Sequence, residues 1–342
     1  MKPLLSIEKL HKRFALTPPP NFIERSLRRP RRASFLHAVE NVSFDLMPGE
    51  SIGLVGESGC GKSTLVRLVT RLLDPSEGHI LFREKHIGDV AAEDFARHPE
   101  RAQIQQIFQD PTDSLNPRLT AFDCIADPLR RLGASPLPEA RPMSASEVKR
   151  RVEQAADQVS LPRALLNRYP HQLSGGQKLR VGIARGIVMR PALLILDEPT
   201  SALDVSVQAV ILHLLADLRR ELGLSYLFVS HDLNVVRMLC DRVLVMYLGK
   251  VVESGPVEAV FANPRHPYTQ ALLAAVSQFD PDQKHGRIRL SEDPQSPIDP
   301  DPNRCRFFSR CARKQPLCAE RMPELEGVGE HASACFFGEI QQ

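Results

Sequence analysis

Short apolar runs alternate with amphipathic stretches along most of the chain, from Phe35 to about Val260. The clearest runs lie at residues 51–56, 192–197, 226–230 and 242–249. Runs of about four to eight apolar residues bounded by polar residues are typical of strands that are buried on both faces. The stretches between them have the spacing of helices with one apolar face. The alternation therefore predicts an α/β domain around a central, mainly parallel sheet.

A further strand is predicted near the N-terminus, at residues 4–14, and an inserted loop follows it at residues 15–34. The loop is rich in proline and arginine, and its segment Arg25–Arg32 carries five arginines. Such a segment suits acidic lipid headgroups or a phosphate-rich partner. A solvated surface loop explains it equally well, so both interpretations stay open.

The composition favours a soluble chain with a sizeable core. The chain has 342 residues, 42% of them hydrophobic, and its net charge of +3 gives no indication of nucleic-acid binding. The first residues lack the apolar run and cleavage site of a signal peptide, and nowhere do about 18 consecutive apolar residues occur. We therefore expect a cytosolic protein.

The segment GESGCGKST is the sharpest motif, and it lies between an apolar run and a helical pattern. Glycine-rich loops in this context bind phosphates, because their N–H groups point inward and the following helix adds partial positive charge. We expect Lys62 to reach the β- and γ-phosphates of a nucleotide and the Ser63 hydroxyl to bind Mg²⁺. The flanking patterns disfavour the alternative, a chance glycine-rich turn. The predicted nucleotide-binding residues are Gly56, Glu57, Ser58, Gly59, Cys60, Gly61, Lys62, Ser63 and Thr64.

A second candidate phosphate-binding motif, LSGGQ, lies at the start of another helical pattern. A single triphosphate would need both motifs only if they held it from opposite sides. Its residues are Leu173, Ser174, Gly175, Gly176 and Gln177. Farther along, Asp197 and Glu198 end an apolar strand. Asp197 is the expected partner of Mg²⁺, and Glu198 is placed to accept a proton from an attacking water. His231 follows the next apolar strand, where it either contacts the γ-phosphate or is an ordinary strand-end histidine.

With these motifs in this order, residues 4–260 resemble the nucleotide-binding domains of ABC ATPases. The resemblance implies an ATPase core with an antiparallel β subdomain near the N-terminus and a helical subdomain at about residues 110–180. It also implies a head-to-tail dimer in which Ser174 and its neighbours cap the ATP held by the other subunit. The resemblance assigns further roles to Gln109 (Q-loop glutamine and Mg²⁺ ligand with Ser63 and Asp197), Asp204 (D-loop aspartate), His231 (switch histidine) and Phe14 (adenine contact). For Phe14, an ordinary core position in the first strand is the alternative.

The later part of the chain narrows the family. The segments QDPTDSLNPR at 109–118 and NPRHPYTQALL at 263–273 resemble the ATP-binding subunits of oligopeptide and dipeptide permeases. The Pro-rich interruption after Phe14 and the segment LGLSYLFVSHDLNVV at 222–236 look most like the F type. The resemblance implies a nucleotide-binding domain at 1–260 and a C-terminal extension at 261–342. It also implies a peripheral protein at the cytoplasmic face of a bacterial inner membrane. Its expected partners are two membrane-spanning permease subunits, a paralogous D-type ATPase subunit and, indirectly, an extracytoplasmic solute-binding protein.

Two alternatives to peptide import stay open at this stage. Related importers carry nickel, glutathione or murein peptides, so the subfamily does not fix the solute. The rival from another class is a soluble ABC ATPase of DNA repair, chromosome organisation or translation. Those proteins contain long coiled coils, zinc modules or two ATPase domains, whereas this sequence has no sustained heptads and one set of motifs. Transport is therefore the favoured interpretation.

Four cysteines cluster late in the chain with the spacing C-x₅-C-x₆-C-x₁₆-C, namely Cys305, Cys311, Cys318 and Cys335. Four thiolates suit a [4Fe–4S] cluster or tetrahedral zinc, and free thiols are the third interpretation. The lack of a C-x-x-C pair weakens a zinc-ribbon interpretation. Some subunits of the resembled family carry a [4Fe–4S] cluster here, so we expect this cluster, in a structural role. Cys60 lies within the phosphate loop, where we expect its alkylation to block ATP binding.

Overall fold

The protein is seen in a computed structural model that describes residues 2–16, 34–109, 114–132, 143–201, 203–276 and 296–338. The arginine-rich segment at residues 25–32 lies outside these ranges. Within them, no helix is both long enough and apolar enough to cross a bilayer.

The strands form two sheets, and the helices pack around the larger one. The strands are β1 (Leu5–Ala15), β2 (Phe35–Leu46), β3 (Ser51–Val55), β4 (Glu77–Phe82), β5 (Lys85–His86), β6 (Ile104–Ile107), β7 (Leu193–Asp197), β8 (Ser225–Ser230), β9 (Arg242–Tyr247), β10 (Lys250–Pro256), β11 (Glu326–Val328) and β12 (His331–Ser333). The helices are α1 (Lys62–Val69), α2 (Ala92–Phe95), α3 (Ala121–Leu132), α4 (Ala145–Gln158), α5 (Gly175–Ile187), α6 (Val205–Leu222), α7 (Leu233–Leu239), α8 (Val257–Ala262), α9 (Pro267–Val276) and α10 (Leu317–Glu320).

The larger sheet has eight strands in the order β11-β12-β10-β9-β3-β8-β7-β6. The strands from β9 to β6 are parallel, whereas β10, β12 and β11 join the edge in antiparallel pairs. The apolar runs of the sequence form β3, β7, β8 and β9, in which nearly every side chain is buried. The predicted α/β fold with a mainly parallel sheet is therefore confirmed.

The smaller sheet has the order β2-β1-β4-β5 and is antiparallel throughout. Its apolar side chains share one buried cluster with helix α1 and with one face of the larger sheet. A small sheet with one apolar face needs such a cover to be stable. This is the antiparallel subdomain that the resemblance implied, and its packing places β1 and β2 next to the loop between β3 and α1.

Helices α3, α4 and α5 pack against one another, with Ile125, Val152 and Ile183 fully buried among them. They form the helical subdomain of the expected fold class. Residues 110–113 and 133–142 of the expected span lie outside the described residues. Helix α5 also contacts β6, so the subdomain is anchored on the edge of the parallel sheet.

Within the described residues, the C-terminal extension pairs with strands of the ATPase domain at two places. Strand β12 pairs with β10, and the extension thereby continues the main sheet. Ile298 forms an isolated antiparallel bridge with Leu36 of β2. The expected boundary near residue 260 thus lies within a region where both parts share backbone hydrogen bonds.

A buried carboxylate reinforces this junction. Glu253 of β10 is fully buried and accepts hydrogen bonds from the N–H groups of Arg265 at 2.7 Å and His266 at 2.9 Å. Its Oε1 also lies 2.8 Å from Nε2 of His331 in β12. A buried charge without such partners is costly, so this cluster ties the extension to the sheet.

Candidate ATP-binding and hydrolysis site

The loop from Gly56 to Gly61 connects β3 to α1 and passes close to neighbouring backbone. Gly61 has a φ of 110°, and a Cβ atom there would lie 2.2 Å from the carbonyl oxygen of Ala38. Gly56 has a φ of 153°, and its Cβ would lie 2.2 Å from the carbonyl oxygen of Met246. Only glycine fits these two positions. The motif therefore reflects a backbone path that no other residue can follow.

The Lys62 side chain is 6% exposed and lies inside this loop. Its ammonium donates hydrogen bonds to the carbonyl oxygens of Gly56 at 2.7 Å and Glu57 at 3.0 Å. These acceptors are neutral, so an anionic phosphate is a stronger partner for the same group. The loop thus holds a positive charge at the N-terminus of α1, where phosphates bind.

A cavity of about 380 Å³ opens in front of the loop. Ten of the predicted site residues line it: Phe14, Ser58, Gly59, Gly61, Lys62, Ser63, Thr64, Gln109, Glu198 and His231. They come from β1, from the loop, from the first turn of α1 and from positions just beyond the ends of three parallel strands. The size suits a small ligand. The fold therefore brings motifs from distant parts of the sequence to one cavity.

Three further lining residues, Leu36, Ala38 and Pro297, were missed by the sequence analysis. Leu36 pairs with Phe14 in the β1–β2 register, so a correct pairing of these two strands would have found it. Pro297 belongs to the C-terminal extension, outside the ATPase motifs. No sequence signal connects it with the nucleotide loop.

Two residues of the loop turn their side chains away from the cavity. The Glu57 carboxylate faces Arg310, with which it makes hydrogen bonds of 2.7 Å and 3.0 Å. Cys60 is 3% exposed and its sulfur packs behind Gly56. Burial raises the pKa of the Cys60 thiol. These two residues, and Gly56, therefore take part in the loop through their backbone.

The Glu198 side chain contacts the other two predicted catalytic residues, Gln109 and His231. Its Oε2 accepts a hydrogen bond from Nε2 of Gln109 at 3.3 Å and lies 3.0 Å from Nδ1 of His231. The Glu198 backbone has a φ of 45°, which is uncommon for a residue with a Cβ, and its N–H donates to the carbonyl of Val229 at 3.0 Å. Backbone strain of this kind often accompanies functional sites. A carboxylate that can accept a proton is thus in contact with an amide and an imidazole.

Asp197 ends β7 and is partly buried. Burial, followed by the adjacent Glu198 carboxylate, raises the pKa of Asp197, while the Lys62 ammonium acts in the opposite direction. The Ser63 hydroxyl and the Gln109 amide line the neighbouring cavity. This oxygen-rich set suits Mg²⁺, and a divalent cation would offset the repulsion between the two carboxylates. The residues that are present therefore fit the ion.

The LSGGQ motif lies at a different place on the surface, at the N-terminus of α5. The Ser174 hydroxyl accepts from the N–H of Gln177 at 3.3 Å, and the Gln177 amide oxygen accepts from the N–H of Ser174 at 3.0 Å. Leu173 is buried beneath this turn. A surface cavity of about 530 Å³ there is lined by Ser174, Gly175, Gly176, Gln177 and Asp204, among others. Within the described residues the two cavities have no lining residue in common, so the two motifs line separate cavities of the chain.

The four late cysteines, Cys305, Cys311, Cys318 and Cys335, line a single cavity beside Phe307. None of the four forms a disulfide within the described residues. Burial raises the pKa of Cys305 to about 11. Across the described parts of the chain, the group of candidate metal-ligand atoms that lie within 4.8 Å of one another is His79, His86 and Asp89, on the surface. The cysteine sulfurs are therefore gathered around one space, but no three of them come that close.

Two family models match the chain. One, described as ABC transporter, covers residues 39–201, and the other, described as oligopeptide/dipeptide transporter, C-terminal region, covers residues 252–318. The oligopeptide transport ATP-binding protein OppF of Escherichia coli is 47% identical over 88% of this chain and 87% of its own length. The chain belongs to this family of ABC ATP-binding proteins. The protein of the same name from Haemophilus influenzae is 46% identical over 88% of each chain.

Solved ABC ATPases share the fold of this family member. A dimeric post-hydrolysis structure of the ATP-binding cassette MJ0796 with ADP and Pi has a TM-score of 0.61 and 27% identity, over 74% of this chain and 98% of that one. CbiO1 of Clostridium perfringens, part of an ABC transporter complex, has a TM-score of 0.60 and 30% identity, over 77% of this chain and 92% of its own chain. The predicted ABC ATPase fold is confirmed, and the chain is an ATPase of this type.

Proposed function

We propose that this ABC ATPase energises an importer of oligopeptides. The observation that carries the proposal is similarity in two separate parts of the chain. The ATPase domain matches the ABC transporter family, and the C-terminal region matches the family described as the C-terminal region of oligopeptide and dipeptide transporters. Relatives named oligopeptide transport ATP-binding proteins match 88% of the chain, so the similarity extends well beyond the ATPase motifs. Nickel, glutathione and murein peptides are the alternative solutes.

The proposed assembly places the chain at the cytoplasmic face of a bacterial inner membrane, against two membrane-spanning subunits, with a solute-binding protein on the other side. Phe108 supports a docking surface, because it is 43% exposed directly before Gln109. Exposed aromatic side chains often mark protein contacts. A contact at Phe108 would connect a membrane subunit to the glutamine that bonds to Glu198.

A second ATPase subunit, of the paralogous D type, is proposed to cover the LSGGQ surface. Val205 and Val210 are 84% and 53% exposed, and Val210 lines the cavity that contains Ser174 and Asp204. Exposed apolar groups around a polar site favour a protein partner. In a head-to-tail pair, the Ser174 hydroxyl and the N-terminus of α5 would face the ATP held by the second subunit.

In the proposed hydrolysis step, the Glu198 carboxylate accepts a proton from the water that attacks the γ-phosphorus, and the bond from the γ-phosphorus to the β–γ bridging oxygen breaks, so that ADP and phosphate are the products. Gln109 and His231 contact this carboxylate and orient the water and the γ-phosphate. Lys62 and the N–H groups of the loop hold the β- and γ-phosphates. Bound Mg²⁺ would neutralise phosphate charge. Its proposed ligands are Ser63, Gln109 and, through water, Asp197.

For the four late cysteines we favour a [4Fe–4S] cluster over zinc. Tetrahedral zinc with Zn–S bonds of about 2.3 Å needs sulfurs about 3.8 Å apart. No three of the four sulfurs lie within 4.8 Å of one another in the described structure. A cubane cluster holds its thiolates farther apart, which suits four cysteines on the wall of one cavity. The cluster would serve as a structural support for the extension.

Uptake by reconstituted vesicles tests the transport proposal. The complex that co-purifies with this chain from native membranes would be placed in vesicles with ATP on the ATPase side. We expect uptake of labelled oligopeptides that requires ATP and is lost with Glu198→Gln. Uptake of nickel or glutathione, without uptake of peptides, would contradict the proposal that oligopeptides are the solute. Failure to isolate any membrane-spanning subunit would contradict transport itself.

Metal analysis of protein purified without oxygen tests the cysteine site. We expect about four irons and four sulfides per chain, with broad absorption near about 400 nm. Cys318→Ser, which removes one proposed ligand, is expected to lower both contents. About one zinc with no iron would contradict the cluster.

A further inference from the structure

The C-terminal extension contacts the ATP site through residues that the ATPase motifs do not explain. Arg310 reaches the back of the phosphate loop, and Pro297 lines the nucleotide cavity. Both residues lie outside the part of the chain that matches the ABC transporter model, residues 39–201. Both residues are distant from the phosphate loop in sequence, but they lie beside the ATP site in space.

Arg310 holds the side chain of Glu57, the second residue of the loop. Its Nη1 donates to Oε2 at 2.7 Å and its Nη2 donates to Oε1 at 3.0 Å. The Arg310 side chain is 5% exposed, and its guanidinium lies over the ring of Tyr247, 5.8 Å from the centroid. A two-point pair of this kind fixes orientation as well as distance. The extension thus sets the position of the Glu57 carboxylate.

The backbone of Glu57 is held at the same time. Its N–H donates to the hydroxyl of Tyr268 at 2.8 Å, and its carbonyl oxygen accepts from the Lys62 ammonium at 3.0 Å. Tyr268 packs against Phe307 of the extension, with 5.7 Å between the ring centroids. Arg310 is therefore connected through one residue to the lysine that faces the phosphates.

At the other end of the cavity, residues 296–299 run beside β2. The Pro297 carbonyl oxygen accepts from the N–H of His37 at 2.9 Å. Asp299 and Phe35 exchange two hydrogen bonds of 2.9 Å, since the Asp299 carboxylate accepts from the Phe35 N–H and the Phe35 carbonyl accepts from the Asp299 N–H. These bonds fix the buried ring of Pro297 in the same cavity wall as Phe14.

We propose that the C-terminal extension completes the ATP site: Arg310 positions the phosphate-binding loop through Glu57, and Pro297 forms the wall beside Phe14 at the base end of the nucleotide. Arg310 is a positioning residue, because it acts through Glu57. Loss of either contact weakens ATP binding and leaves Glu198 and its partners in place. The inference rests on the ATPase activity and is independent of the transported solute.

Steady-state ATP hydrolysis by Arg310→Gln tests the first contact. We expect the KM for ATP to rise about tenfold with kcat changed by less than about twofold, because binding is weakened and the hydrolytic groups are untouched. Arg310→Lys keeps a charge but loses the two-point geometry, so it is expected to restore part of the affinity. Arg321→Gln, at an exposed arginine of the same extension, is the matched control with an unchanged KM.

A double-mutant cycle separates positioning from a general loss of structure. If Arg310 acts through Glu57, then Arg310→Gln and Glu57→Gln together raise KM no further than the larger single effect. Full additivity, or a wild-type KM in folded Arg310→Gln, overturns the proposal. If Arg310→Gln does not fold, Tyr268→Phe removes the hydroxyl that accepts from the Glu57 N–H, and it is expected to raise KM as well. An unchanged KM in Tyr268→Phe then overturns it.

Pro297→Gly tests the second contact, with inorganic tripolyphosphate as a competitor of ATP. Glycine keeps the backbone carbonyl that bonds to His37 and removes the ring from the cavity wall. We expect weaker ATP binding with an unchanged inhibition constant for tripolyphosphate, because that compound has no base. Arg310→Gln is expected to weaken the binding of both compounds. If Pro297→Gly leaves the affinity for ATP unchanged, or weakens the binding of ATP and tripolyphosphate equally, Pro297 does not lie at the base end of the nucleotide.

Discussion

The Nδ1 atom of His231 lies 3.0 Å from Oε2 of Glu198, at the ends of two neighbouring parallel strands. The Glu198 side chain is 18% exposed, whereas the His231 side chain is 64% exposed. The carboxylate is therefore held inside the site while the imidazole stands at its open edge. This arrangement leaves the carboxylate accessible from the edge at which the imidazole stands.

Glu198→Gln is expected to lower kcat by about a thousandfold or more while ATP binding persists, because the amide has the same shape and cannot accept a proton. The ATPase rate and ATP-dependent dimerisation by gel filtration measure both effects. Glu221→Gln, at an exposed residue of α6, is the control. A rate near that of the wild type would mean that Glu198 is not the general base.

His231→Ala is expected to lower kcat by about ten- to a hundredfold, with little change in ATP affinity, because the imidazole orients the reacting groups and does not hold the triphosphate. Rapid-quench measurement of a single turnover separates this step from binding. His213→Ala, at an exposed histidine of α6, should behave as the wild type. A large loss of ATP affinity would assign His231 to binding instead.

Lys62→Ala is expected to weaken nucleotide binding itself, by about tenfold or more, because it removes the charge inside the phosphate loop. Titration with a fluorescent ATP analogue measures the dissociation constant directly. Lys149→Ala removes a lysine whose side chain is 68% exposed and serves as the control. An unchanged affinity would contradict the assignment of the loop.

Cys60 is expected to react slowly with maleimides, because its thiol is buried and burial raises its pKa, so little thiolate is present. Once alkylated, the loop can no longer enclose phosphates, and ATP binding should be lost. Mass spectrometry during the reaction, with Cys60→Ser as the control, measures rate and stoichiometry. Full ATPase activity in stoichiometrically modified protein would refute this expectation.

The free energy of unfolding is expected to fall as the pH drops below about 6.5, partly because of His266. Burial lowers the pKa of His266 to about 3, so between these values the unfolded chain binds a proton that the folded chain excludes. This residue should contribute about 1.4 kcal/mol per pH unit. Urea unfolding at pH 7.5 and pH 5.5 measures this change in the free energy of unfolding.

His266→Asn is expected to flatten this pH dependence, since it keeps an acceptor for the N–H of Tyr268 and removes the titrating group. His79→Asn changes an exposed histidine and should leave the dependence as it is. Equal slopes in all three proteins would show that His266 is not responsible.

The phosphate loop could be predicted from sequence because its backbone path permits only glycine at positions such as Gly61, and that restriction leaves a pattern. Strands β3 and β7 were predictable because burial on both faces leaves an apolar run. Arg310 and Pro297 leave no pattern, since an arginine that pairs with a carboxylate resembles any other arginine. Their positions depend on how the extension folds around the cysteine cavity and along β2, which only the structure shows.

The positions of Pro297 and Arg310 also determine when a newly made chain becomes able to bind ATP. The ribosome releases the chain from its N-terminus, so the loop and Glu198 emerge before either residue. A nascent chain that has already folded its ATPase motifs still lacks the wall beside Phe14 and the support behind Glu57. Full ATP affinity then arises only after residues 297 to 310 have emerged and packed against the loop and β2.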